Sequence, residues 1–110
     1  MIDKHDKARL IDFGLSTIEK DSNRDDYQVG SPLFLAPEAI KGKHSKEADM
    51  WALGVTLYML VSGYAPITAE NTNKLFDKIV EGKWDFNLRA FRKVSDECKD
   101  LITRLLCADP

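Results

Sequence analysis

Asp12, Phe13 and Gly14 close a short apolar run, Ala8-Arg9-Leu10-Ile11, that reads as a strand. A carboxylate at a strand end has a short, rigid reach, which suits an oxygen ligand for a hard cation. A turn residue without chemistry is the plain alternative. Further along, Gly30-Ser31-Pro32 presents a hydroxyl between two conformationally special residues. Ala36-Pro37-Glu38 begins twenty-four residues after Asp12, and an Asp-x-Trp-x-x-Gly run spans Asp49, Trp51 and Gly54. Any one of these short patterns recurs by chance, whereas the ordered set does not.

The set resembles the protein kinase family, from its metal-binding motif through the activation segment into the helical lobe. The resemblance covers about residues 8 to 110. It implies transfer of the ATP γ-phosphate to protein hydroxyls, with ATP and Mg²⁺ as cofactors. Asp12 would hold Mg²⁺ against the nucleotide phosphates, Phe13 would pack behind it and set active or inactive geometry, and Gly14 would allow the tight turn. These three form the implied cofactor-binding set. Residues 15–35 would be the activation loop. The usual phosphosite position falls on Tyr27, preceded by Asp25 and Asp26. The acids could stand in for phosphate charge, Ser16, Thr17 or Ser22 could be modified instead, or the loop is simply acidic and solvated. Gly30, Ser31, Pro32, Ala36, Pro37 and Glu38 resemble the peptide-docking loop. The hydroxyl of Ser31 matches the residue that touches the catalytic Asp in Ser/Thr-directed kinases. Glu38 would pair with an Arg beyond Pro110, and Asp49 would fix the backbone of a catalytic loop. Trp51 and Gly54 read as packing residues.

Val61-Ser62-Gly63-Tyr64-Ala65-Pro66, Gly82-Lys83-Trp84-Asp85-Phe86 and Val94-Ser95 with Lys99-Asp100-Leu101-Ile102 are similar to the calcium/calmodulin-dependent kinase group. Two departures are Ile67, where Phe is usual, and the Gly-Ser-Pro element, which is common in other branches. The sequence holds no Gly-rich loop, strand Lys, His-Arg-Asp loop or catalytic Asn, and eleven residues precede Asp12. The expectation is therefore a partial kinase domain over 1–110, lacking the nucleotide lobe and catalytic base and inactive in isolation. A non-catalytic binding or regulatory product that keeps the docking surface is the other reading. Protein substrates, and the remaining lobe or regulatory domains, are the implied partners. No Asp-x-Asp-x-Asp-Gly loop occurs, so the sequence supports no calcium control of its own.

The elements that must position these residues read as mainly α, with about four helices and minimal β. Pro37 opens a short helix that Gly42 ends. A second helix runs from Lys46 to about Ser62, apolar on nearly every face; such a helix wants burial all round, yet 110 residues offer few elements to surround it, so part of its cover should be missing. Asn71 or Thr72 caps a third, with Leu75, Phe76, Ile79 and Val80 as its stripe and Gly82 as its stop. A loop carries Trp84, Phe86, Leu88 and Phe91. Ser95 then caps a last helix whose Cys98, Leu101, Ile102, Leu105 and Leu106 share a face.

With 110 residues there is room for one small domain. A net charge of −2 with interspersed signs gives nucleic acid no basic field to meet. The most apolar run, Met50 to Val61, is too short to span a bilayer. The start of the chain is polar, unlike a signal peptide. The spacing of Cys98 and Cys107 suggests neither a disulfide framework nor a metal site, and His5 and His44 read as solvated. A cytoplasmic setting follows as the expectation.

Overall fold

The computed structural model describes residues 1–16, 31–43 and 45–109. Tyr27, Gly30, Thr17, Ser22, Asp25, Asp26 and His44 lie outside the described residues, as do the assignments made for them.

Four helices carry the structure: α1 (Pro37–Ile40), α2 (Glu47–Ser62), α3 (Thr72–Glu81) and α4 (Asp96–Leu105). Each begins and ends for a local reason. Pro37 supplies a preset φ at the first position of α1. The Asn71 side chain accepts from the Lys74 N–H, and the Ser95 hydroxyl accepts from the Cys98 N–H, so each satisfies an orphan donor of its helix. Asn71, and not Thr72, is the cap of α3. Gly63 and Gly82 sit at left-handed φ of 79° and 63°, which ends α2 and α3 without a Cβ clash.

The core forms where α2 meets α4 and where Phe91 enters from below. Trp51, Val55 and Tyr58 of α2 pack with Ile67, Leu75, Ile79, Phe91, Ile102 and Leu106. Phe91 lies in a 3₁₀ turn, Arg89–Lys93, within the segment read as irregular loop. The ring is 1% exposed, and its burial is what holds that turn in place. Tyr58, Trp84, Phe86 and Phe91 form a continuous aromatic cluster with centroid separations of 4.7 Å to 6.4 Å. Edge and tilted contacts dominate it, as the ring quadrupoles favour. The two polar handles are used: the Tyr58 hydroxyl donates to the Asp85 carbonyl at 2.9 Å, and the Trp84 indole donates to the Leu106 carbonyl at 3.3 Å.

The apolar helix lacks part of its cover, as expected of a chain with few elements to surround it: Met50, Leu53 and Leu60 of α2 are exposed, Leu60 by 79%. No element among the described residues reaches that face. Two expectations fail: Leu101 of α4, assigned to that helix's apolar face, is 48% exposed, and the strand expected at 8–11 does not form. One antiparallel bridge, Ile2 to Ala8, is all the pairing found among the described residues, and a single bridge cannot propagate a ladder past Ala8.

Candidate functional site

The N-terminal segment that delivers Asp12 is a tight hairpin turn. Arg9 and Met1 exchange backbone hydrogen bonds, Arg9 N–H to Met1 carbonyl at 2.8 Å and the Met1 amino group to the Arg9 carbonyl at 3.0 Å. Inside it, Asp6 N–H donates to the Asp3 carbonyl and Asp3 N–H to the Lys7 carbonyl. Asp6 takes a left-handed φ of 58° at the tip, which Asp tolerates better than most residues.

Asp12 itself has φ of 65°, the second non-glycine in that region. A left-handed backbone at a non-glycine residue costs free energy, less at Asp than at most others, and such outliers gather at functional sites. Its carboxylate is solvent-facing, and the position a Gly14 Cβ would take lies 3.6 Å from Asp12 Oδ1, ordinary contact distance. Phe13 is 67% exposed. The resemblance implies a ring packed behind Asp12, but no described element receives it. Ser16 closes the next turn by donating to the Phe13 carbonyl at 2.6 Å.

The docking-loop residues sit against the helical body. Ser31 is exposed and precedes a 3₁₀ turn, Pro32–Phe34, whose first position Pro32 occupies. That turn contacts α2 and α3. Ala36 and Pro37 are buried, Ala36 in the same core as Trp51. Glu38 is half-buried, and its carboxylate has no ion-pair partner among the described residues. Asp49 is exposed in the first turn of α2. Trp51 is 2% exposed, with an indole N–H that finds no acceptor among the described residues. Gly54 lies where α2 crosses α4: a Cβ there would come within 2.8 Å of Leu105 Cβ and 2.9 Å of Leu106 Cδ2. The docking-loop and α2 residues are thus brought together, while Asp12, Phe13 and Gly14 stand on a segment with no buried residue.

Among the described residues, no three His, Cys, Asp or Glu side chains gather into a metal-binding group. One carboxylate still fits Mg²⁺, which keeps several waters and takes few protein ligands beside substrate phosphates. In the shallow depression at the start of α3, lined by Thr68, Ala69, Glu70, Lys74 and Lys78, both lysines are engaged, Lys74 with the Glu70 carboxylate and Lys78 with the Thr68 backbone carbonyl.

Residues 1–110 match the family described as the protein kinase domain. The chain belongs to that family. It is 39% identical over 110 residues to calcium-dependent protein kinase 10 of Oryza sativa subsp. japonica, covering 98% of this chain and 18% of that protein. It is 40% identical over 112 residues to calcium-dependent protein kinase 6 of Arabidopsis thaliana, covering 100% of this chain and 21% of that one. Among solved structures, the twitchin kinase region from C. elegans is similar with a TM-score of 0.69 and 38% identity, over 71% of this chain and 14% of that one. The chain spans about a fifth of the length of the curated relatives it matches. The kinase fold class, a mainly helical C-lobe portion, and the resemblance to the calcium-dependent Ser/Thr kinases are therefore findings.

Sequence reasoning overlooked Asp3. Its carboxylate organises the hairpin turn, and the visible signal was an Asp two residues before the start of a charged turn, the pattern of an Asx turn.

Proposed function

We propose that residues 1–110 are the C-lobe portion of a Ser/Thr protein kinase, from the Asp-Phe-Gly segment through the activation segment to α4. The whole protein would transfer the ATP γ-phosphate to Ser or Thr hydroxyls of protein substrates in the cytoplasm. The observation that carries this reading is Asp12: the family's metal-binding position, occupied by the matching residue and held at a costly left-handed backbone angle.

In this reading Asp12 would offer a carboxylate oxygen to Mg²⁺, with Gly14 in the turn that follows it. Bound Mg²⁺ supplies neutralisation of the phosphate charge that builds up as the bond to the leaving oxygen breaks. Ser31 and the adjoining 3₁₀ turn present the acceptor peptide, with Ala36 and Pro37 anchoring that loop to the core. Residues 1–110 contain neither a catalytic-loop Asp nor a strand Lys, so the chain by itself turns nothing over. The two thiols, Cys98 and Cys107, are unpaired, which fits a reducing compartment.

The test has two arms. In the purified 110-residue chain, radiolabelled ATP and a mixed protein substrate should give no incorporation above background. In the whole protein, Asp12→Asn should lower phosphoryl transfer by roughly 10³-fold without lowering the melting temperature, and Asp12→Ala should lower transfer as far while also losing stability at the left-handed backbone. Asn keeps the tolerance for left-handed φ and loses only the charge. An active Asp12→Asn enzyme would remove the metal role from Asp12.

A further inference from the structure

The segment carrying Asp12 has little to fix its direction. Leu10 is 89% exposed and Ile11 is 55% exposed, and neither joins a strand pair among the described residues. The last anchored residue before them is Arg9. What anchors it is the turn at residues 1–9, and one side chain ties that turn together. Asp3 Oδ1 accepts from the backbone N–H groups of His5 at 2.8 Å and Lys7 at 3.0 Å, and Asp3 Oδ2 accepts from Arg9 Nε at 2.9 Å.

A surface ion pair alone would hold little. Here the same carboxylate also satisfies two backbone donors, so the turn's shape and the position of Arg9 are set by one group. The Asp3 side chain is itself largely covered, with 20% of its surface exposed, against 61% for Arg9. The Arg9 hydrogen bond, then the Lys7 and His5 amides, hold the Asp3 carboxyl below the usual carboxylate range.

We propose that Asp3 is a positioning residue for Asp12: by locking the 1–9 turn through Arg9 it fixes the direction in which the Asp12 carboxylate meets a divalent cation. This rests on the metal role given to Asp12 above. Asp3 touches no reacting atom. Asp3→Asn keeps one acceptor oxygen but turns an amide donor toward the Arg9 donor or breaks that bond. Arg9→Gln removes the guanidinium and leaves the Asp3 turn.

The test uses the ¹⁵N-labelled 110-residue chain and Mn²⁺ as the probe. Two readouts are followed: heteronuclear NOEs of Leu10 to Phe13, and paramagnetic broadening of the Asp12 and Phe13 amides during a Mn²⁺ titration. Asp3→Asn should lower those NOEs and weaken the Mn²⁺ affinity roughly 10-fold, as loss of an orienting partner does. The Trp84 indole N–H signal should stay in place, and Lys4→Ala should change neither readout. Unchanged NOEs in Asp3→Asn overturn the proposal, and so do lowered NOEs with unchanged Mn²⁺ affinity, which would make Asp3 a local scaffold only. A wild-type chain that shows no broadening at Asp12 refutes the metal role itself, and the positioning role with it. If Asp3→Asn shifts the Trp84 signal, Arg9→Gln decides by the same two readouts.

Discussion

Residues 1–16 and the helical body from Pro37 to Leu105 are held by different physics. The body has a shared apolar core in which Trp51, Phe91, Ile79 and Ile102 are almost wholly buried. The N-terminal segment buries no residue and is shaped by hydrogen bonds around Asp3 and by two left-handed Asp residues. The residue assigned the metal chemistry stands in the N-terminal segment, and the residues assigned to packing and docking stand in or against the helical body. Fold stability and the site's geometry should therefore respond to different substitutions, and mutations can separate them.

The sharpest break comes at Phe91. Its ring fills the space between Tyr58 and Phe86, with centroids 4.7 Å and 4.8 Å away. Phe91→Ala should destabilise the chain by about 3–5 kcal/mol, through lost burial and the cavity left behind. For a domain of this size that approaches total stability, so urea unfolding should show a collapsed midpoint. The hairpin at 1–9 has no contact in this cluster, so amide exchange there should change little. Coupled loss of protection at Lys7 and Arg9 would mean that the two regions are one cooperative unit.

Gly54→Ala is the next in size. A methyl group would meet Leu105 Cβ at 2.8 Å, so α4 must move away from α2. The expected cost is about 1–3 kcal/mol. A second substitution, Leu106→Ala in the Gly54→Ala background, removes the Cδ2 and Cγ atoms that the new methyl meets at 2.9 Å and 3.0 Å and should couple favourably with it, as a denaturant-based double-mutant cycle reads. No favourable coupling would place the strain at Leu105 Cβ instead.

The two regions also differed in how much of them could be read from sequence. The helices of the body announced themselves through Pro37, Asn71, Gly82 and Ser95 and through the stripes at Leu75, Ile79, Ile102 and Leu106, because caps and periodicity are local signals. The 3₁₀ turn at Arg89–Lys93 gave no period and exists because Phe91 has a core to enter, which only the tertiary structure supplies. The uncovered face of α2 was legible only as a lack of cover, not residue by residue: Met50, Leu53 and Leu60 state a preference for burial but not what satisfies it. At the site, motif order named Asp12, Ser31 and Glu38, yet neither the left-handed angle of Asp12 nor the hub at Asp3 has a periodic signature. Backbone strain and an Asx turn depend on φ and on hydrogen bonds that composition does not encode.

Tyr58 supplies the smallest effect and the finest probe of the body. Burial, and then the nearby Asp85 carboxylate, raise its phenol above the ordinary tyrosine pKa of 10.0. Its folded-state pKa therefore exceeds its unfolded one, and the neutral phenol's contribution is fully present below about pH 10. As pH rises above that value, the unfolded chain releases the proton first and stability falls through the folded pKa. Tyr58→Phe should cost about 1 kcal/mol at neutral pH, because the Asp85 carbonyl loses its donor. Above pH 10 the variant should lose stability less steeply than the parent, so the two melting curves converge. The three hydrogen bonds at Asp3 should be indifferent to that range, since their carboxylate titrates at the acid end: with its pKa lowered on folding, their support is present above the unfolded carboxylate pKa and fades only as pH drops through the folded one. The ¹³C–¹Hα shifts at 1–9, which involve no exchangeable proton, should accordingly hold steady into alkaline pH while the Trp84 ring-carbon signals report the loosening core. Simultaneous change in both would show that the aromatic cluster, and not Asp3, keeps the hairpin in shape.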